Sequence, residues 1–247
     1  MVKLTTKYII RQINSRKQFL VRRKKETDKQ YLSRITHLYL QNQFIDQIMK
    51  VTDCQSVSVI YMQNNMLRTL DNIGSFPNLT HLYLQRNFLT KIEHLESLQK
   101  LKKIYLGFNE ILVLEGFADL PNLQEIHIEC QDLPAGETLL FEPLTVGNLE
   151  TMLKVLDVSQ NNLSTLSGLR GLRRLEVLIA NNNRLSDLKD VINTLKEWPF
   201  LKKLSLLGNP VVGQRWYRDS IIFASKSLGK LKKISVCDSS QYYEIIS

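Results

Sequence analysis

One spacing governs what this chain can fold into. Written in the frame L-x-x-L-x-L-x-x-N-x-L, apolar residues recur at Ile35, Leu38 and Leu40, at Val57, Ile60 and Met62, at Leu79, Leu82 and Leu84, at Leu101, Ile104 and Leu106, and at Leu123, Ile126 and Ile128. The frame returns at Leu153, Leu175 and Leu201, so eight copies follow one another in steps of 22 residues, apart from one of 30 and one of 26. Its ninth position is Asn65, Asn87, Asn109, Asn161, Asn183 and Asn209, with Gln43 and Gln131 in the other two copies. The 247 residues include only 17 Asn, so six at one frame position mark a structural requirement rather than chance. A unit this short cannot enclose a core. It must bury its leucines against the copies before and after it, and the array needs a cap at each end.

Within each copy the alternation L-x-L predicts a short strand, and copies stacked in order predict a parallel sheet. Between strands, Ile92, Leu95, Leu98 and Leu101, then Leu114, Phe117, Leu120 and Leu123, then Leu166, Leu169, Leu172 and Leu175 repeat every third residue. That period fits a 3₁₀ helix or tight turns with one face against the sheet. The expected fold is an α/β solenoid: parallel sheet on the concave face, short helical or 3₁₀ segments on the convex face, helical caps at both ends. The ninth-position amides are expected to bond backbone groups between neighbouring turns.

The organisation follows. Residues 1–34 read as an N-terminal cap helix and a basic linker, with Thr5 or Thr6 as helix N-cap and Leu4, Tyr8, Ile9, Ile10 and Ile13 on one apolar face covering the first strand. Residues 35–212 hold the eight repeats, interrupted by an insertion at about 133–152. Residues 213–247 read as a C-terminal cap, a helix over Tyr217–Phe223 and a final strand through Leu228, Leu231 and Ile234.

The net charge of +9 sits in one place: residues 1–34 carry eleven Lys and Arg against Glu26 and Asp28, leaving 22 of each sign in the remaining 213 residues. Only Met1–Ile13 could serve as a leader, and it carries charges where a secretion signal would be apolar; no run approaches a membrane span, so a cytosolic chain is expected. Cys54, Cys130 and Cys237 are odd in number and far apart, which suits buried thiols better than disulfides or zinc. Of His37, His81, His94 and His127, three fall at exposed strand positions of different repeats, with no serine, cysteine or carboxylate pair placed for a triad, so no catalytic residue, metal or cofactor is assigned. Gly168–Gly171 is repeat punctuation rather than a phosphate loop.

The 22-residue step resembles the intracellular leucine-rich-repeat group that includes a regulator of protein phosphatase 1, the spliceosomal U2 A-prime protein and outer-arm dynein light chain 1. The insertion from Glu129 through Cys130, Leu133, Pro134, Gly136 and Phe141 to Pro143 is similar to that of the phosphatase 1 regulatory subunit 42 family, the testis leucine-rich-repeat proteins, as are His81–Gln85 with Asn87, Ile104–Gly107, and Tyr217–Asp219 with Ser225–Leu228. The resemblance implies a non-enzymatic adaptor that binds the phosphatase 1 catalytic subunit and associates with tubulin at the centrosome, basal body or cilium. A built-in axonemal component without phosphatase is the alternative, and an RNA-protein adaptor a further one.

Side-chain alternation turns the third, fifth and seventh frame positions to the concave side. The fifth column reads Tyr39, Tyr61, Tyr83, Tyr105, His127 and Asp157, taking four of the nine tyrosines; the third adds His37, His81, Lys103 and Glu125, and the seventh adds Gln63, Gln85 and Glu129. These residues form the candidate protein-binding surface, since solenoids present partners with their concave face and tyrosine suits interfaces. Alternatively the rings are a cross-strand ladder that only stabilises the sheet. The run Arg22, Arg23, Lys24 and Lys25 reads either as a solvated linker or as a patch for acidic tubulin tails, with nucleic acid disfavoured for want of interleaved aromatics. The apolar insertion is expected to fold onto the solenoid edge, or else to form a docking patch. No basic-Val-x-Phe segment is present, so phosphatase binding would use the concave face; no membrane or small-molecule ligand is expected, and the oligomeric state is left open.

Overall fold

The computed structural model describes residues 2–15 and 21–225. β1 (Val2–Leu4) and α1 (Thr6–Ser15) open the chain, and α2 (Asp28–Leu32) leads into β2 (His37–Tyr39) and β3 (Ile45–Ile48). Then come β4 (Val59–Tyr61), β5 (His81–Tyr83), β6 (Lys103–Tyr105), β7 (Val113–Leu114), β8 (Glu125–His127) and β9 (Leu140–Phe141). α3 (Pro143–Leu149), β10 (Val155–Asp157), β11 (Val177–Ile179), α4 (Leu188–Leu195), β12 (Lys203–Ser205) and α5 (Tyr217–Ala224) complete it.

Eight of these strands form one parallel sheet in the order β2, β4, β5, β6, β8, β10, β11, β12. The register is uninterrupted: frame position meets frame position from Leu38 through Ile60, Leu82, Ile104, Ile126, Leu156 and Leu178 to Leu204. All eight of these central residues are buried, flanked on each strand by residues that reach solvent. The core runs behind the sheet as a single column of the frame's apolar positions.

The predicted amide stitching is present. Asn65 Nδ2 donates to the Leu40 and Met62 carbonyl oxygens while its Oδ1 accepts from the Gln43 and Ile45 amides. Asn87, Asn109, Asn183 and Asn209 repeat this linkage to the preceding copy. Gln131 performs it too, donating to the Leu106 carbonyl and accepting from Ile111. Gln43, with no copy before it, instead accepts from the Tyr8 hydroxyl of the cap.

On the other face the period of three becomes 3₁₀ turns at Ile73–Ser75 and Ser167–Leu169. Elsewhere it gives isolated i to i−3 bonds, such as Leu98 to Leu95 and Leu101 to Leu98. The two long steps accommodate α3 and α4. In the insertion, β9 pairs with β7, and Leu139, Val146 and Leu149 are buried, whereas Leu140 and Leu144 stay exposed. The insertion thus folds onto the solenoid with two leucines left outside.

The caps differ in detail from expectation. Thr5 does cap α1, its Oγ1 accepting from the Tyr8 amide, and Leu4 and Ile9 are buried. Edge pairing, however, comes from β1, which runs parallel to β3 rather than joining the main sheet. The stretch read as a linker also holds α2, started by a capping box between Thr27 and Gln30 and anchored by buried Tyr31 and Leu32. At the far end α5 forms as expected; the strand predicted through Leu228–Ile234 lies outside the described residues. Cys54 is buried, with its thiol pushed up to about 12 by burial. Cys130 is only half-buried, because it occupies a turn on the sheet margin. Cys237 lies outside the described residues.

Candidate binding surface

Parallel strands in register set neighbouring side chains about 4.8 Å apart, a spacing within the roughly 4.5–7 Å between the centres of offset-stacked aromatic rings. The fifth column uses it fully. Ring centres of Tyr39 and Tyr61 lie 4.9 Å apart, Tyr61 and Tyr83 4.7 Å, Tyr83 and Tyr105 4.5 Å, and Tyr105 and His127 4.6 Å, with interplanar angles of 7° to 17°. Each inner ring has both faces covered by neighbours. What the row offers outward is ring edges and hydroxyl groups, not open π faces.

The row ends in a charge cluster. Glu125 receives Lys103 Nζ at 2.8 Å, the Tyr105 hydroxyl at 2.8 Å and His127 Nε2 at 2.9 Å. The His127 hydrogen bond, with those of Lys103 and Tyr105, outweighs burial and holds the Glu125 carboxyl at about 2. The Tyr105 phenol is driven well above its ordinary range, first by burial and then by its bond to that carboxylate. Burial together with nearby Lys103 lowers His81. His37 stands at the opposite end, its ring 6.3 Å from that of Tyr39.

The seventh column forms a second row beside the first. Gln41, Gln63, Gln85 and Glu129, with Asn64, Arg86 and Phe108 on the margin, line a groove of about 400 Å³. Position seven of the fourth repeat is Gly107, and a Cβ there would sit 2.1 Å from Glu129 Oε1. The Glu129 carboxyl therefore occupies space that only glycine leaves free. Burial, and then the neighbouring Asp157, push this carboxyl upward. His127, Glu129 and Asp157 bring ligand-type atoms within 4.8 Å of one another, a donor set that could hold a divalent ion and that sequence reading had not assembled.

Arg86 and Phe108 were also missed. Both occupy the eighth frame position, where every repeat turns off the sheet with φ between 53° and 69°: Asn42, Asn64, Arg86, Phe108, Cys130, Gln160, Asn182 and Gly208. Asn and Gly suit that left-handed conformation; Arg and Phe do not. The signal was legible as large side chains at a position that four other copies fill with Asn or Gly.

The basic run is split. Arg22 is tied to Asp28 and to the Glu26 carbonyl and lies over the Tyr31 ring, while Glu26 receives the Arg23 amide and the Arg34 guanidinium. Lys24 and Lys25 are exposed at the turn.

Three family models match parts of the chain: the leucine-rich-repeat segment of Leucine-rich repeat and WD repeat-containing protein 1 over residues 123–244, a general leucine-rich-repeat model over 77–133, and a two-copy repeat model over 55–97. The repeats and the solenoid are those of the leucine-rich-repeat fold. Among solved leucine-rich-repeat structures, internalin C2 of Listeria monocytogenes superposes with a TM-score of 0.58 at 22% identity, covering 74% of this chain and 75% of that one. A Leptospira interrogans leucine-rich-repeat protein gives 0.57 at 23% identity, covering 74% of this chain and 45% of the other. These likenesses concern the fold. Mouse Leucine-rich repeat- and IQ domain-containing protein 1 is 42% identical over 71 residues, 29% of this chain, and the match spans only 4% of that much longer protein.

Proposed function

We propose that this leucine-rich-repeat protein is a non-enzymatic scaffold that holds a protein partner on its concave face, with the phosphatase 1 catalytic subunit as that partner. The observation that carries the scaffold reading is the unbroken row Tyr39, Tyr61, Tyr83, Tyr105 and His127, rigid, in register and edge-on to solvent. Tyrosine edges with hydroxyls give contact area at low entropic cost, as interface residues do. The phosphatase reading is supported by the family likeness of the Glu129–Pro143 insertion, which starts two residues after His127 and lays β9 against β7. The cell would then hold it at a centrosome, basal body or cilium.

Calorimetric titration of phosphatase 1 catalytic subunit into the wild type and into Tyr61→Ala/Tyr83→Ala/Tyr105→Ala tests it. Binding by the wild type and loss in the triple variant, with the fold preserved by circular dichroism, is expected; no heat from the wild type removes the phosphatase. A second reading, a cytoskeletal component gripping acidic tubulin tails, is favoured by the exposed Lys24 and Lys25. It predicts salt-sensitive tubulin binding that disappears when residues 22–25 become serine. An RNA adaptor fits less well, because bases stack on open aromatic faces and those of the inner rings are taken.

A further inference from the structure

Four side-chain oxygens of the seventh column share an unusual condition. Gln41 Oε1, Gln63 Oε1, Gln85 Oε1 and Glu129 Oε2 are each shielded from solvent and have no hydrogen-bond partner. They follow the ends of β2, β4, β5 and β8, strands of one register in which Gly107 takes the β6 place, and they line the same groove. A single such oxygen is a minor defect; a buried polar atom without a partner has given up its hydration for nothing, so four in one groove are an expensive arrangement for a fold to keep. All four are acceptors. The ligand that satisfies them must therefore be rich in donors.

Glu129 decides which donors. Its carboxyl lies over Gly107, in space that a Cβ would close to 2.1 Å, so the one glycine of the column is what lets a charge into the row. Asp157 is close by and adds a second carboxylate. The groove's own cation, Arg86, is engaged by the Phe108 ring, 4.2 Å away at the groove margin. The protein beyond residue 34 carries equal numbers of positive and negative groups, so a cationic ligand meets no general repulsion there.

We propose that the groove takes an extended, arginine-bearing segment of the partner protein, with a guanidinium seated against Glu129 and further donors meeting Gln85, Gln63 and Gln41. Arginine fits better than lysine, because its planar fork of five N–H groups can serve a carboxylate and a neighbouring carboxamide together. This deepens the concave-face reading and rests on it for the presence of a protein partner.

The probe is a fluorescein-labelled heptapeptide alternating serine and arginine, followed by anisotropy beside the same peptide with citrulline for arginine. Wild-type protein is expected to bind the arginine peptide at least about tenfold tighter than the citrulline peptide, and Glu129→Gln to lose that preference. Gly107→Ala, which displaces the carboxyl, should lose it as well. Because Glu129→Gln removes a buried charge and keeps the side-chain shape, folding is expected to survive, with circular dichroism as the check. Equal binding of the two peptides, absence of binding, or an unchanged preference in Glu129→Gln overturns the proposal. So does a stoichiometric divalent metal in the purified wild type that Glu129→Gln lacks, since the carboxylates would then serve that ion. Phosphatase titration of Glu129→Gln separates the two readings: phosphatase bound equally by wild type and Glu129→Gln defeats the arginine site alone, whereas a peptide preference without phosphatase binding defeats only the named partner.

Discussion

The guanidinium of Arg86 lies 4.2 Å from the centre of the Phe108 ring, and both residues hold left-handed backbone, with φ of 57° and 60°. The stack joins the turns of two neighbouring repeats at the margin of the groove. Two opposed energies meet at Phe108. The conformation costs about 1 kcal/mol relative to glycine, and the cation–π contact at a partly exposed site returns about 0.5–1 kcal/mol. Phe108→Gly should therefore stay within about 0.5 kcal/mol of wild type, while Phe108→Ala keeps the strain, loses the stack and falls by about 1 kcal/mol. Urea unfolding of the three proteins gives the order.

Asn109 is almost wholly buried, donates to the Leu84 and Leu106 carbonyls and accepts from the Leu89 amide. Asn109→Ala strands those backbone groups and should cost about 2–4 kcal/mol. Gln43→Ala, at the array's start, should cost under about 1 kcal/mol because it gives up chiefly a solvent-reachable link to Tyr8. Hydrogen exchange in Asn109→Ala should accelerate first in the strands on either side of the lesion.

Gly116 has φ of +80°, and a Cβ on it would meet the Ile92 carbonyl oxygen at 2.1 Å. Gly136 has φ of +87°, yet a Cβ there would meet nothing within 4 Å. Both alanine variants bear the backbone strain, but only Gly116→Ala also clashes with main chain. Its loss should exceed about 2 kcal/mol against about 1 kcal/mol for Gly136→Ala, compared by thermal unfolding.

Glu125 titrates near 2 in the folded protein against an ordinary 4.5, chiefly through its bond from His127. A carboxyl lowered on folding adds stability that is complete above its unfolded value and is lost as pH falls toward the folded one. The stability gap between wild type and Glu125→Gln should therefore be constant near neutrality, shrink from pH 4.5 downward and close near pH 2. Urea midpoints measured across that range check it. A gap that stays level below pH 4 would mean the Lys103, Tyr105 and His127 contacts contribute nothing through charge.

Much of this architecture is legible because the repeat copies its own constraints. Leucines at three frame positions fix the sheet and its register, and the register alone stacks Tyr39 through His127. Where the pattern was silent, the physics was non-repeating. β1 is three residues long and pairs with a strand more than forty residues away, so no local periodicity announces it. α2 has a readable capping box, Thr27 with Gln30, but it is embedded in a charge run that reads as solvated. The groove was half visible: Gln63, Gln85 and Glu129 belong to an evident column, whereas the unsatisfied state of their oxygens depends on how they are shielded. Gly107 stands in the same column as a bare position and proves to be room for a carboxyl.

The exact register of the sheet gives this surface a unit of length. Each of the first five repeats adds one ring to the row and advances it by one strand spacing, about 4.8 Å, without disturbing the others. Removing residues 57–78, one full copy, would shorten the row by a single ring and leave Tyr39 stacked on Tyr83 in its place. The concave face is thus a ruler graduated in repeats, and a partner that reads it from His37 to His127 measures a number of copies as much as a set of side chains.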